Sequence, residues 1–487
     1  MTFVTYQFYI FFILTTLLYF SIPYKWRPRL ILLASCAFYA ALIPVYLLIL
    51  FLLITIDYTT ARLMERVQER ARTHLLLISI ISLCGILFTF KYFDFFAANV
   101  HTIAELIGWH YNTTLLMLAL PLGLSFHTFQ SLSYVIEVYR GKQPAEKNFF
   151  TYALYVMFYP QLVAGPIERP QQLLPQLHGH HTFNYERVKL GLIRMTWGLF
   201  KKTVIADHLG LAVTHVFDHP ELHPGVSLMM AASFFTLQLY FDFSGYCDIA
   251  LGAAQVLGIT LVENFKQPFS SRSIAEWWRR WHISLSNWFR DYLYYPLILS
   301  KKITPLRIYG TTLLTFLVMG LWHGANWTYV ILGGLHGTYI IVGTMTQKWR
   351  EKFHIWSTLV RYPKLHRTLQ IATVFTLVTF SFIFFRAQTL SQALYIATHL
   401  FVGIEQIWNP LYLKATLLSN GLFIKAAAAL PLALLVLWVE SRLGDGTVST
   451  FFARQKAMVR WAAYYALIIM LIFFNTGAGP GFIYFQF

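Results

Sequence analysis

Long apolar runs, separated by short polar and basic stretches, dominate the chain. They fall near 3–23, 30–42, 44–61, 74–95, 115–138, 150–165, 188–216, 226–262, 310–347, 368–385, 421–439 and 461–475. A helix of about 20 apolar residues crosses the roughly 30 Å of bilayer hydrocarbon, and the run 310–347 is long enough for two passes. The pattern predicts an all-α polytopic membrane protein with about eleven transmembrane helices plus re-entrant and interfacial helices. It is expected to form a single membrane domain over residues 1–487, with residues 482–487, FIYFQF, as a C-terminal aromatic motif. The first run, FVTYQFYIFFILTTLLYFSIP, lacks the basic flank and small-residue cleavage site of a secretory signal and is predicted to be a retained span.

Some runs are interrupted in an informative way. FYPQLVAGPIERP puts Pro160, Gly165 and Pro166 at membrane depth, and LPLGLSFHTFQ does the same with Pro121 and Gly123. Broken backbone survives in a bilayer only where protein or water covers it, so such segments line cavities. No internal repeat is visible, which weakens a transporter reading.

Composition agrees with the pattern: 57% of residues are hydrophobic and 12% charged, against about 25% charged in soluble domains. The formal charge of +17 raises the question of nucleic acid. Its distribution excludes that class. Lys and Arg gather in short loops (Lys25, Arg27, Arg29; Arg62 to Arg72; Arg140 to Lys147; 266–307; 348–367; 442–460), while 96–114 and 218–225 carry none. That is the positive-inside pattern, with the N-terminus expected outside. Cys36, Cys84 and Cys247 lie in apolar stretches without ligand spacing and read as packing residues.

Polar groups inside apolar runs are the candidates for chemistry. YFDFSGYCDIALGAAQ holds Asp242, Ser244 and Asp248. Carboxylates at that depth cost several kcal/mol unless paired or hydrated, which predicts a buried network with Arg or backbone amides, or else contact with substrate. Asn264 is a further polar candidate. In SRSIAEWWRRWHISLSNWFRDYLYYPL, rings including Trp277, Trp281 and Trp288 alternate with Arg272, Arg279, Arg280 and Arg290. Such a segment suits an interfacial helix, or a site for an anionic, aromatic ligand such as coenzyme A, with Arg on phosphates and rings on adenine. His323, in FLVMGLWHGANWTYV, is an ionisable group at membrane depth and a candidate for proton transfer. The run His178, Gly179, His180, His181 reads as a solvated loop rather than a metal site, and no HExxH, GxSxG or Walker A pattern is present.

Three stretches together, DFSGYCDIA, SRSIAEWWRRWHISLSNWFRDYLYYPL and GLWHGANW, resemble the membrane-bound O-acyltransferases, in particular the bacterial branch that acetylates alginate and peptidoglycan. LPLGLSFHTFQSLSYVIEVYRG and QLVAGPIERP are similar to the same branch. The resemblance implies a bowl-shaped helical bundle with funnels on both faces joined by a narrow tunnel. It implies His323 as the catalytic residue at that tunnel and His282, of RRWHISLS, as a second polar site. It also implies no permanently bound cofactor, acetyl-CoA as cytoplasmic donor, the bacterial inner membrane as location, and delivery through a periplasmic partner acyltransferase to a polysaccharide such as alginate or peptidoglycan.

The terminal FIYFQF is similar to an FxYFxF pattern at the C-termini of proteins in related cell-wall acylation systems, where the tyrosine is thought to carry the acyl group. GAGPG before it cannot continue a helix, so the hexapeptide is expected to thread into a funnel, anchored by Phe482, Phe485 and Phe487, and to offer the hydroxyl of Tyr484. A phenol with pKa near 10 is about 0.1% ionised at pH 7, so attack on a thioester needs a base, and His323 is the candidate. Two other classes fit the pattern: a polysaccharide flippase or transporter, separated by flux without thioester consumption, and a relative acting on a lipid or protein.

Overall fold

The computed structural model describes residues 1–41, 43–109, 115–357, 361–412, 414, 422–444, 446–474 and 481–485. Within them the regular structure is helical, apart from one isolated antiparallel bridge between Phe265 and Trp281. Six helices among the described residues are long and apolar enough to cross a membrane: Tyr46–Met64, Glu69–Leu106, Gly225–Leu257, Trp327–Met345, Pro363–Arg386 and Ile424–Ser441. Tyr6–Ser21 and Ala457–Phe473 are apolar but shorter.

The remaining apolar runs become composite elements. Residues 115–123 are irregular before the helix Leu124–Tyr139, and the run 150–165 yields the nine-residue helix Phe149–Met157 followed by non-helical chain. The run 310–347 is cut into Pro305–His323 and Trp327–Met345 by the turn at Gly324 to Asn326.

The chain packs as two compact units, residues 1–195 with 247–262, and residues 196–246 with 263–487. The helices Tyr185–Phe200 and Gly225–Leu257 contribute to both.

In the first unit the broken backbone is covered by protein. Every residue from Thr151 to Glu168 is buried. Gly123 has a left-handed φ of 80°, and a Cβ there would lie 2.7 Å from the carbonyl oxygen of Leu162, so only glycine fits. Gln161 donates its side-chain amide to the Tyr155 carbonyl at 2.9 Å, and Glu168 accepts from the Val262 amide at 2.7 Å. Polar groups freed by the broken helix thus find partners inside the unit. Asp248 pairs with Arg194 at 2.9 Å on a contact that Gly191 and Gly252 bring close.

Among the candidate spans, Gly225–Leu257 has 83% of its apolar window buried, against 17% for Glu69–Leu106. The helix carrying Asp242 and Asp248 is therefore internal, and its carboxylates do not face lipid.

Candidate active site

The second unit positions His323 through close helix packing. Gly320 and Gly333 let Pro305–His323 and Trp327–Met345 touch backbone to backbone. A Cβ on Gly320 would lie 2.2 Å from the Tyr329 carbonyl oxygen, and one on Gly333 the same distance from that of Phe316. Asn326 caps the second helix, accepting from the Thr328 amide at 3.0 Å and donating to the Gln388 carbonyl at 3.0 Å. His323, the last residue of the first helix, is thereby fixed at a rigid corner and is 9% exposed.

His282 is aimed by backbone strain. Its φ of 44° and ψ of 54° are left-handed, a conformation that costs a non-glycine residue on the order of 1–3 kcal/mol and persists only where its surroundings enforce it. Asn264 supplies that enforcement: its carbonyl accepts from the Ile283 amide at 3.0 Å and its side-chain oxygen from the Ser284 amide at 3.1 Å. The Lys266 amide to the Arg280 carbonyl, at 2.9 Å, completes the clasp. The result is a buried imidazole whose ring centroid lies 4.8 Å from that of Phe243.

The two histidines converge on the C-terminal aromatic segment. Gly481 to Phe485 are described, with a short turn over Ile483–Phe485; residues 477–480 of GAGPG, and Phe487, lie outside the described residues. The Tyr484 ring packs at a tilt against Phe243, with centroids 4.2 Å apart, and its centroid lies 6.1 Å from that of His323 and 6.2 Å from that of His282. Phe482 and Ile483 are buried, and Phe482 meets Tyr246 edge-on at 4.9 Å.

His323 and Tyr484 line one cavity of about 20 Å³, with Trp278, Phe316, Met319 and Phe385 among its walls. That is space for about one water. The cavity brings together a hydroxyl-bearing ring and an imidazole, with ring centroids 6.1 Å apart, the pairing that general-base activation of a hydroxyl needs.

His336, which sequence reasoning passed over, lines the same cavity. Trp278 donates its indole N–H to His336 Nδ1 at 3.3 Å, which leaves the proton on Nε2, and Nε2 donates to Ser381 Oγ at 2.9 Å. Ser381 donates on to the Val378 carbonyl at 2.8 Å. Both ring nitrogens are engaged, so His336 suits holding the wall rather than moving protons. Its GGLHG setting, an ionisable residue inside an apolar run, was the available signal.

The basic, aromatic segment folds differently from a single interfacial helix. It comprises Ile274–Trp278, the break at His282, Ile283–Phe289, a wide turn at Arg290–Tyr294, and Tyr295–Leu299. Trp277 and Trp281 are 1% and 4% exposed and stack on each other at 5.0 Å, with Phe269 against Trp277. Trp281 also lines the cavity shared by His323 and Tyr484, whereas Trp277 is not among its lining residues. Arg280 is tied to Glu276 at 2.9 Å and to Ser270 Oγ at 3.2 Å. Arg279 and Arg290 are exposed, Arg290 beside Asp291 at 2.8 Å, whose hydrogen bond pushes its pKa up.

Asp242 belongs to the second unit, where it bonds the tail and Lys202. Asp248 belongs to the first, where it pairs with Arg194. His178 pairs with Glu146 at 2.8 Å. Among the described residues no three His, Cys, Asp or Glu side chains cluster as metal ligands.

A model of the membrane-bound O-acyltransferase family matches residues 145–385. The probable alginate O-acetylase AlgI of Azotobacter vinelandii is 37% identical over 380 residues, covering 77% of this chain and 73% of the relative. The chain belongs to the membrane-bound O-acyltransferase family. It is a multi-pass membrane acyltransferase. The peptidoglycan O-acetyltransferase of Helicobacter pylori is 35% identical over 395 residues, 75% of this chain and 72% of that one. The teichoic acid D-alanyltransferase of Bacillus subtilis is 28% identical over 279 residues, 54% of this chain and 68% of that one. The family match includes His282 and His323 of this acyltransferase and stops short of Tyr484.

Proposed function

We propose that this acyltransferase takes an acetyl group from cytoplasmic acetyl-CoA, carries it across a bacterial inner membrane as an ester of Tyr484, and passes it to a periplasmic partner acyltransferase for O-acetylation of a polysaccharide. The observation that carries the reading is the cavity shared by His323 and Tyr484. The relatives named for acetylating alginate and peptidoglycan support the acceptor class.

The Tyr484 oxygen attacks the thioester carbonyl carbon while His323 takes the phenol proton. The C–O bond forms, the C–S bond breaks, and the proton passes from His323 to the departing thiolate of coenzyme A. General-base help of this kind contributes about 10² to 10⁴-fold, and a covalent intermediate divides one long transfer into two shorter ones. Exposed Arg279 and Arg290 serve the phosphates of the donor, which stays outside a cavity of about 20 Å³ while its acetyl end enters. Bulky walls favour a two-carbon acyl group over longer ones.

The test is thioester consumption by the purified protein in nanodiscs. His323→Ala is expected to lower turnover by about 10² to 10⁴-fold, with KM for acetyl-CoA little changed. Wild-type turnover in that variant overturns the assignment.

A further inference from the structure

Two consecutive lysines, Lys201 and Lys202, are both buried, at 2% and 1% exposure. An α-helix would point neighbours about 100° apart. Here the chain widens into a π-helical stretch over Lys201–Ala206, a feature frequent at functional sites, and both side chains enter the core. Lys201 reaches Glu440 at 3.4 Å, and Tyr240 donates to the same carboxylate at 2.5 Å. Lys202 bridges Asp207 at 2.7 Å and Asp242 at 2.5 Å. Gly245 allows this approach: a Cβ there would lie 2.7 Å from the Gly198 carbonyl oxygen.

The second lysine and its aspartate also hold the tail. Asp242 Oδ2 accepts from the Ile483 amide at 2.9 Å, and Lys202 Nζ donates to the Gly481 carbonyl at 3.4 Å while lying 5.0 Å from the Phe482 ring. Both backbone bonds fall within three residues of Tyr484. A segment that merely filled an apolar hole would need neither. A buried ion pair is a weak source of stability and is better at imposing one geometry; this one grips main chain and leaves the tyrosine side chain to the cavity.

We infer that Lys202 and Asp242 form a clamp on the backbone of Gly481–Ile483 that sets the hydroxyl of Tyr484 against His323, which makes them positioning residues for acyl transfer. The clamp's consequence for catalysis rests on the carrier role proposed for Tyr484, so its test needs a readout of tail position besides one of chemistry.

The experiment uses the full chain in nanodiscs with its three cysteines replaced by serine and with Tyr246→Cys and Phe482→Cys, whose parent rings lie 4.9 Å apart. Disulfide yield reports tail docking, and in the unsubstituted chain acetyl label on Tyr484 reports transfer. Asp242→Ala is expected to lower the disulfide yield several-fold and to slow labelling by about 10²-fold, the effect of roughly 1 Å of misplacement, without raising KM for acetyl-CoA. Asp242→Asn keeps an acceptor oxygen for the Ile483 amide and recovers part of both. If Asp242→Ala fails to fold, the triple variant Lys202→Met, Asp207→Asn, Asp242→Leu removes every charge of the Lys202–Asp207–Asp242 cluster and must show the same two losses. Wild-type cross-linking in a folded variant overturns the clamp. Loss of cross-linking in a protein whose wild type never labels Tyr484 supports the clamp and overturns the carrier role alone.

Discussion

The crossing of Pro305–His323 with Trp327–Met345 offers the sharpest quantitative test of how the fold places its histidine. In Gly333→Ala the new methyl would begin 2.2 Å from the Phe316 carbonyl oxygen and 3.2 Å from the Gly320 Cα. Carbon and oxygen in van der Waals contact need well over 3 Å, so the helices must separate by about 1 Å. Neither side can yield locally, because both contacts are to backbone. His323 lies seven residues beyond Phe316 on the same helix and moves with it. A displacement of about 1 Å from reacting geometry lowers rates by up to about 10²-fold, equivalent to about 2.7 kcal/mol in the barrier. Overpacking costs a further 1–3 kcal/mol or so of stability. The assay is acetyl-CoA consumption in nanodiscs alongside thermal unfolding, with Gly343→Ala as control because a Cβ there meets nothing within 4 Å. A Gly333→Ala protein that matches Gly343→Ala in both measurements refutes the argument that helix proximity positions the imidazole.

Widening the cavity by Met319→Ala or Phe385→Ala is expected to admit propionyl- and butyryl-CoA, seen as a flattened chain-length profile of thioester consumption. Arg279→Ala should raise KM for acetyl-CoA by about five-fold, the scale of an exposed charge contact, with the difference fading at high salt and kcat unchanged. Arg194→Leu removes the ion-pair partner of Asp248 from a pair whose side chains are 10% and 14% exposed, and is expected to destabilise by about 3 kcal/mol. The double change Arg194→Leu, Asp248→Leu should recover most of that in thermal unfolding, and no recovery would contradict the ion-pair account.

Helical class was legible because apolar runs of membrane length have one structural solution in lipid. The family followed from DFSGYCDIA, RRWHISLS and GLWHGANW, whose polar groups inside apolar settings are uncommon for any other reason. The breaks at Gly123 and Gly165 were legible too, since Pro and Gly at membrane depth demand cover, and the cover is visible from Thr151 to Glu168. Less legible was how deeply the rings of the basic, aromatic segment are buried. Trp277 and Trp281 have the composition of an interfacial helix, but the left-handed turn at His282 folds them inward, and a positive φ at histidine leaves no mark in a single sequence. Lys201 and Lys202 escaped notice because a lysine near a helix end usually snorkels to water. Only the π-helical widening turns both inward, and no residue type signals that widening.

The central claim is that an imidazole and a tyrosine hydroxyl in one cavity exchange an acetyl group with a thioester. Rapid-quench labelling with isotopic acetyl-CoA, followed by peptide mass mapping, addresses it directly. One acetyl on Tyr484 is expected to form within a turnover, to be absent in Tyr484→Phe and to form about 10² to 10⁴-fold more slowly in His323→Ala. Acetyl transfer that proceeds at the wild-type rate in Tyr484→Phe, or label that appears on another residue instead, would contradict it.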